Sequence, residues 1–385
     1  MGGPDSESTN LAGKKVVFVL AWSVLGGAER SALSTAEHLL EEVGADVSVL
    51  ALTPEDGRAR DLFSTRRIPW HTLPTDWHGG RLDKARQLGS LIARLRAMRP
   101  DVLLPYTSRP NVLCGLTWRA TGASLSIWNQ QDIVRATKFG PRLTSFAVRR
   151  TPLFVANSEA AKDFLVAEIK APAKRVHVVL EGAGRPLDLD GLRDPWRARL
   201  GIDDGTTVVS MLAHLHPVKD HATLLRAWRI VLDERGADVP VLLLAGRPSG
   251  SEDALKALAF DLELGRSVRF LGEVEEVDGV LAASDVAVLS SRSESRPHAL
   301  LESAAAGLPI AATDVPGISG EVGAHQVPFL FPPGDAERLA ESLVQLISSP
   351  QLRETLGREN RRIALEDSTD PGSMTADLIA RALAR

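Results

Sequence analysis

Residues 14–52, KKVVFVLAWSVLGGAERSALSTAEHLLEEVGADVSVLAL, decide the fold class. Residues 14–21 (KKVVFVLA) become apolar at every position after the two lysines, 28–42 follow a helical period, and 46–52 turn apolar again. A strand with no polar alternation has no solvated face, so it reads as a parallel strand covered on both sides. Residues 101–105, 125–128 and 153–156 repeat the pattern, with a helix predicted over 82–98. The alternation breaks at 180–194 (LEGAGRPLDLDGLRD), which is rich in Gly, Asp and Pro and reads as a domain boundary. A second series follows, with strands at 207–213, 240–245, 268–271, 286–289 and 309–312, and helices at 222–233, 337–348 and 351–362. Right-handed crossovers then give α/β architecture: two doubly wound, Rossmann-like domains, 1–185 and 186–367, expected to face each other across a cleft. A last helix, within 368–385, is placed to return to the first domain. In such sheets ligands bind where strands end, so the chemistry belongs in the loops after the strands.

Bulk properties fit this reading. A chain of 385 residues, 44% hydrophobic and 24% charged, is long enough for two cores. The balance of 45 Lys+Arg against 49 Asp+Glu gives no electrostatic case for a nucleic-acid partner. Cys114 is the one cysteine, which excludes an internal disulfide and suits a reducing, cytoplasmic compartment. No apolar run approaches a membrane span, and the polar first ten residues read as a loose tail, not a leader.

Four loops carry candidate chemistry. In 290–302 (SSRSESRPHALLE), Pro297 suits a helix start, which would leave the amides of His298, Ala299 and Leu300 facing an anion. Glu294 and Glu302 flank that turn, and a carboxylate can accept both hydroxyls of a sugar diol. In 209–221 (VSMLAHLHPVKDH), Lys219 lies between a strand and a helix, where an ammonium can neutralise a diphosphate. In 22–30 (WSVLGGAER), Gly26 and Gly27 allow close backbone approach at a helix start, without the G-x-G-x-x-G of a dinucleotide site. In 126–135 (SIWNQQDIVR), Asn129, Gln130, Gln131 and Asp132 form a polar cluster at a strand end; loop capping explains them equally well.

The stretch 284–317, SDVAVLSSRSESRPHALLESAAAGLPIAATDVPG, resembles the donor-binding heart of family 4 (group 1) of the retaining glycosyltransferases with the GT-B fold. Glu294 and Glu302 have the spacing of that family's E-x7-E signature. The resemblance implies that Glu294 contacts the transferred sugar, Glu302 the nucleotide ribose, and the amides of His298, Ala299 and Leu300 the diphosphate. It places Lys219 on the diphosphate, and puts His214 where the family has an arginine. It sets the Gly26–Gly27 turn against the same diphosphate, and leaves Gln131 or Asp132 to replace a histidine that touches sugar hydroxyls. Ser295 and Arg296 depart from the Gly and aromatic that usually follow the first Glu. Smaller matches are 155–158 (VANS) and 178–182 (VVLEG, with Glu181 in place of Asn), so the likeness covers nearly the whole chain.

The function so implied is transfer of a hexose-type sugar, with retention, from a nucleotide diphosphate sugar to a glycan, lipid-linked or small-molecule acceptor. No metal and no other cofactor are expected, since cations and helix dipoles of the chain do the metal's work. The competing readings are an inert sugar-nucleotide binder and another enzyme of the same architecture, such as an epimerase. Lys138, Arg142, Arg149 and Arg150 read as a solvated helix face, or as a weak peripheral contact with an anionic membrane surface.

Overall fold

The computed structural model describes residues 11–23, 25–53, 57–133, 139–180, 182, 187–236, 238–366 and 370–384; Lys138 and Glu181 lie outside them, as does the amino-terminal tail. The chain divides into two units, one of residues 1–184 with 369–385 and one of residues 185–368.

In the first unit, β1 (Lys15–Leu20) explains the apolar run at its centre. Val16, Phe18 and Leu20 enter one core with Ala32, Ala36 and Leu39 of the helix Gly27–Glu41. Val17 and Val19 enter a second core with Leu91 and Leu95 of the helix Arg81–Met98 and Val112 and Leu113 of the helix Ser108–Thr121. Both faces are therefore covered, as the missing polar alternation requires. The other strands are β2 (Asp46–Ala51), β3 (Trp70–Thr72), β4 (Val102–Pro105), β5 (Leu125–Gln130), β6 (Leu153–Ala156) and β7 (Val176–Val178). Their order is β3-β2-β1-β4-β5-β6-β7, and every pairing is parallel. The direction of winding reverses between β1 and β4. The edge strands β3 and β7 were not expected from the sequence. Each has three residues and at most one fully buried, so neither makes an apolar run.

The helix Pro371–Leu383 belongs to this first unit, where Ala376 and Ile379 join the core that holds β1. Asp370 Oδ2 lies 3.0 Å from His38 Nδ1 on the helix Gly27–Glu41. A Cβ on Gly372 would come within 2.3 Å of the His38 side chain, so only glycine allows this approach.

The second unit has β8 (Val208–Leu212), β9 (Val241–Ala245), β10 (Val268–Gly272), β11 (Val286–Leu289), β12 (Ile310–Thr313) and β13 (Leu330–Phe331) in the parallel order β10-β9-β8-β11-β12-β13. Alternate residues again serve two cores. Val286 and Val288 pack with Trp228 and Leu343, whereas Ala287 and Leu289 pack with Leu300 and Ile318. Because β8 and β11 are neighbours, the loops that leave their carboxyl ends lie side by side.

Candidate functional site

The loop after β8 contains the 3-10 turn Pro217–Lys219, and the loop after β11 runs from Ser290 to the helix His298–Ala305. Main-chain and side-chain bonds stitch the two together. The Ser290 hydroxyl donates to the carbonyls of Lys219 and Asp220, at 3.0 and 3.1 Å. The Arg292 amide donates to the Val218 carbonyl at 2.8 Å. Asp220 caps the helix His221–Arg235 with a left-handed φ of 49°, takes the Thr223 hydroxyl at 2.9 Å, and takes Arg292 Nε at 2.9 Å. Strain of this kind at a non-glycine residue persists only where the surroundings fix it, and these bonds do so.

The result is that two residues 75 apart in sequence meet. Lys219 Nζ lies 2.5 Å from Glu294 Oε1, with the side chains 29% and 10% exposed. The same oxygen takes the Ser291 hydroxyl at 2.6 Å. Ser291 is fully buried, and its carbonyl takes the Thr313 hydroxyl at 2.6 Å. A Cβ on Gly317 would lie 2.1 Å from the Glu294 carbonyl oxygen and 2.4 Å from that of Ser295, so glycine is required where β12's following turn supports this loop. The sequence pattern contained both Ser291 and Gly317 but gave no sign of these contacts.

Arg296 accounts for its departure from the family pattern. Its guanidinium turns inward and pairs through Nη1 with Glu321 Oε2, the two side chains being 1% and 12% exposed. Glu302 is a buried carboxylate on the helix His298–Ala305. At the start of that helix one expectation is corrected. The Leu300 amide donates to the Pro297 carbonyl at 3.0 Å, closing the first turn, so it does not stand open to an anion. Pro297 is the residue that caps the helix, with ψ of 116°, ahead of its first turn.

His214 also differs from the cation its position suggests. Burial, then the charges of Arg247 and Lys219, hold its pKa below the ordinary histidine value against the pull of Glu273, so the imidazole is neutral at pH 7. Arg247 is the residue that sequence reasoning missed. It follows β9, its carbonyl takes the Leu215 amide at 2.9 Å, and Gly246 beside it lets the backbone press on Ala213, where a Cβ would lie 1.9 Å from the carbonyl oxygen. The dipeptide Gly246–Arg247 straight after an apolar strand was the available signal. His221, at the first position of the next helix, is buried; desolvation and then Lys219 push its pKa down to about 4.

In the first unit, the Gly26 amide donates to the Glu29 carboxylate at 3.0 Å, which caps the helix Gly27–Glu41. That amide is used inside the turn, by the helix's own third residue. Gln131 and Asp132 do fall at the end of β5 and are cross-linked there. Gln131 Nε2 donates to Asn129 Oδ1 at 2.7 Å, and its Oε1 takes Asn157 Nδ2 at 3.3 Å. Asp132 Oδ1 takes the Ser108 hydroxyl at 3.2 Å and Gln130 Nε2 at 2.9 Å. Arg142 and Arg149 are exposed on the helix Pro141–Arg150, as are Leu143 and Phe146. Among the described residues no helix is long and apolar enough to cross a membrane.

Comparison with known proteins identifies the family. The family "Glycosyl transferases group 1" matches residues 193–363, and "Glycosyltransferase Family 4" matches residues 25–183. The D-inositol 3-phosphate glycosyltransferase of Rhodococcus opacus (strain B4) is 33% identical over 223 residues, 56% of this chain and 50% of that protein. That of Streptomyces avermitilis is 33% identical over 244 residues, 60% of this chain and 52% of that protein. The chain thus spans about half the length of the curated relatives it matches. Among solved structures, Anabaena HepE in complex with UDP and glucose superposes with a TM-score of 0.82 at 20% identity, over 96% of this chain and 100% of that one. Sucrose-phosphate synthase from Thermosynechococcus elongatus gives 0.77 at 17% identity, over 96% and 99%. With one family match on each unit and the GT-B fold common to these neighbours, the chain belongs to the group 1, family 4 glycosyltransferases.

Proposed function

We propose that this chain transfers a hexose-type sugar from a nucleoside diphosphate sugar to a hydroxyl acceptor, with retention of configuration and without a metal. The contact that carries the reading is Lys219 Nζ on Glu294 Oε1, at 2.5 Å, at the carboxyl ends of two adjacent strands. Without ligand, the ammonium and the carboxylate satisfy each other. A diphosphate arriving beside Lys219 competes for the ammonium and frees the Glu294 carboxylate to accept sugar hydroxyls. Nucleotide and sugar are then held by one coupled pair.

In the step itself the bond from the anomeric carbon to the β-phosphate oxygen breaks, and its electron pair leaves with the diphosphate. The acceptor oxygen bonds to the anomeric carbon from the same face, and its proton passes to the departing phosphate oxygen. Lys219 and the amides of His298 and Ala299 stabilise the charge that builds on that group. Glu302 takes the ribose hydroxyls. The relatives named for D-inositol 3-phosphate glycosyltransfer and the neighbour holding UDP and glucose support a nucleotide-sugar donor. Release of nucleoside diphosphate from a panel of nucleotide sugars tests the reading. Release that depends on Lys219 and Glu294 is expected. Nucleotide binding without any release, across donors and acceptors, would leave an inert binder.

A further inference from the structure

The indole of Trp22 is unusual for its surroundings. Trp22 follows the buried Leu20 and Ala21 at the end of β1, yet the residue is 53% exposed. Tryptophan is on average a highly buried side chain. The Arg109 guanidinium carbon lies 5.1 Å from the ring centroid. That guanidinium is itself fixed, because it donates to three main-chain carbonyls: Ala21, Leu52 and Thr75. The indole is therefore backed by a clamped cation and does not depend on a ligand for its position.

Its place in the sheet gives this meaning. Trp22 leaves the end of β1, and Arg109 stands in the first turn after β4. These adjacent strands are where the winding direction reverses, the crevice that open parallel sheets use for ligands. From there a polar row continues across the next strand ends. Ser108, beside Arg109, bonds to Asp132 after β5, and Gln131 bonds to Asn157 after β6. A flat aromatic surface at one strand end, with carboxamides and a carboxylate at the strand ends that follow in the sheet, matches a polyhydroxylated ring, which has an apolar C–H face and a hydroxyl rim.

We propose that Trp22 is the stacking platform of a subsite for such a ring, a pyranose or cyclitol, and that this subsite takes the acceptor. The acceptor assignment rests on the transfer reading above, but binding of the ring does not. Ligand affinity gained this way comes from preorganisation, since neither the indole nor its backing must be ordered on binding.

The test uses the full chain labelled with 5-fluorotryptophan. The fluorine resonance of Trp22 is assigned by its loss in Trp22→Phe. Glucose, galactose, mannose, N-acetylglucosamine and myo-inositol are titrated separately at millimolar concentrations. At least one should move the Trp22 resonance saturably. By saturation-transfer NMR, Trp22→Ala should bind that compound about tenfold more weakly, and Trp22→Phe nearly as well as wild type. Melting curves of the variants establish that they are folded. If no compound moves the Trp22 resonance, or if Trp22→Ala binds as tightly as wild type, the proposal is overturned. Nucleoside diphosphate binding is measured on the same samples. Its failure would count against the transfer reading and leave the ring subsite standing.

Discussion

Replacing Glu321 by Leu probes what holds the loop that carries Glu294. The Arg296 side chain is 1% exposed and that of Glu321 12%, so water screens this ion pair little. Removing one partner of such a pair leaves the other charge buried and typically costs about 3–5 kcal/mol. The unit that contains it spans residues 185–368. In a domain of this size each kcal/mol shifts the melting midpoint by about 2–4 °C, so Glu321→Leu should lower the transition of this unit by about 6–20 °C. Replacing both residues by Leu should recover most of the loss, because the desolvation penalty of the two charges disappears with them. Scanning calorimetry of wild type, the two single variants and the double variant gives the coupling. A Glu321→Leu midpoint within about 2 °C of wild type would refute the reasoning, as would a double variant as unstable as the two single losses added together. Turnover should fall with Glu321→Leu, since its partner Arg296 directly follows Glu294 and Ser295, whose carbonyls pack against Gly317.

Lys219→Ala should lower turnover about 10²-fold or more, the loss of one preorganised electrostatic group; near-normal turnover would show that other cations suffice. Glu302→Ala should weaken nucleoside diphosphate binding by about 1–3 kcal/mol in calorimetry, whereas Glu294→Gln should spare that affinity and cut turnover; the reverse pattern would exchange their roles. His221 has a folded pKa of about 4, below its ordinary 6.5, so the unfolded chain takes up the proton first as pH falls. Its share of stability is complete above about pH 6.5 and is lost down to about pH 4, roughly 3 kcal/mol in all; a His221→Gln variant should lose that slope, and parallel curves would exclude it. For His214, a bound diphosphate should raise the depressed pKa, so nucleotide-sugar binding should strengthen below the ordinary histidine range. His214→Arg should flatten that dependence, and equal slopes in the two proteins would remove the imidazole from the phosphate site.

The two parallel sheets were legible because strands such as β1 and β11 bury both faces and leave no polar alternation. The edge strands β3, β7 and β13 were not, being two or three residues long. In the site, spacing pointed to Glu294 and Glu302, but the Lys219–Glu294 contact joins residues 75 apart through the adjacency of β8 and β11. Local pattern does not encode such a contact. Arg296 read as a loss of family character because its partner, Glu321, lies 25 positions on. The amide of Leu300 looked open in sequence, yet the Pro297 carbonyl takes it.

The docking of Pro371–Leu383 on the helix Gly27–Glu41 sets an order on biosynthesis. The unit of residues 185–368 is continuous, so it can close as soon as its last helix has left the ribosome. The other unit cannot complete its core when Gly184 emerges, because Ala376 and Ile379 are still to come. At about 5–20 residues per second, the roughly 200 residues between them take about 10–40 s. During that time the face of Gly27–Glu41 on which Pro371–Leu383 packs has no partner helix, so of the two units the one begun first is the one finished last.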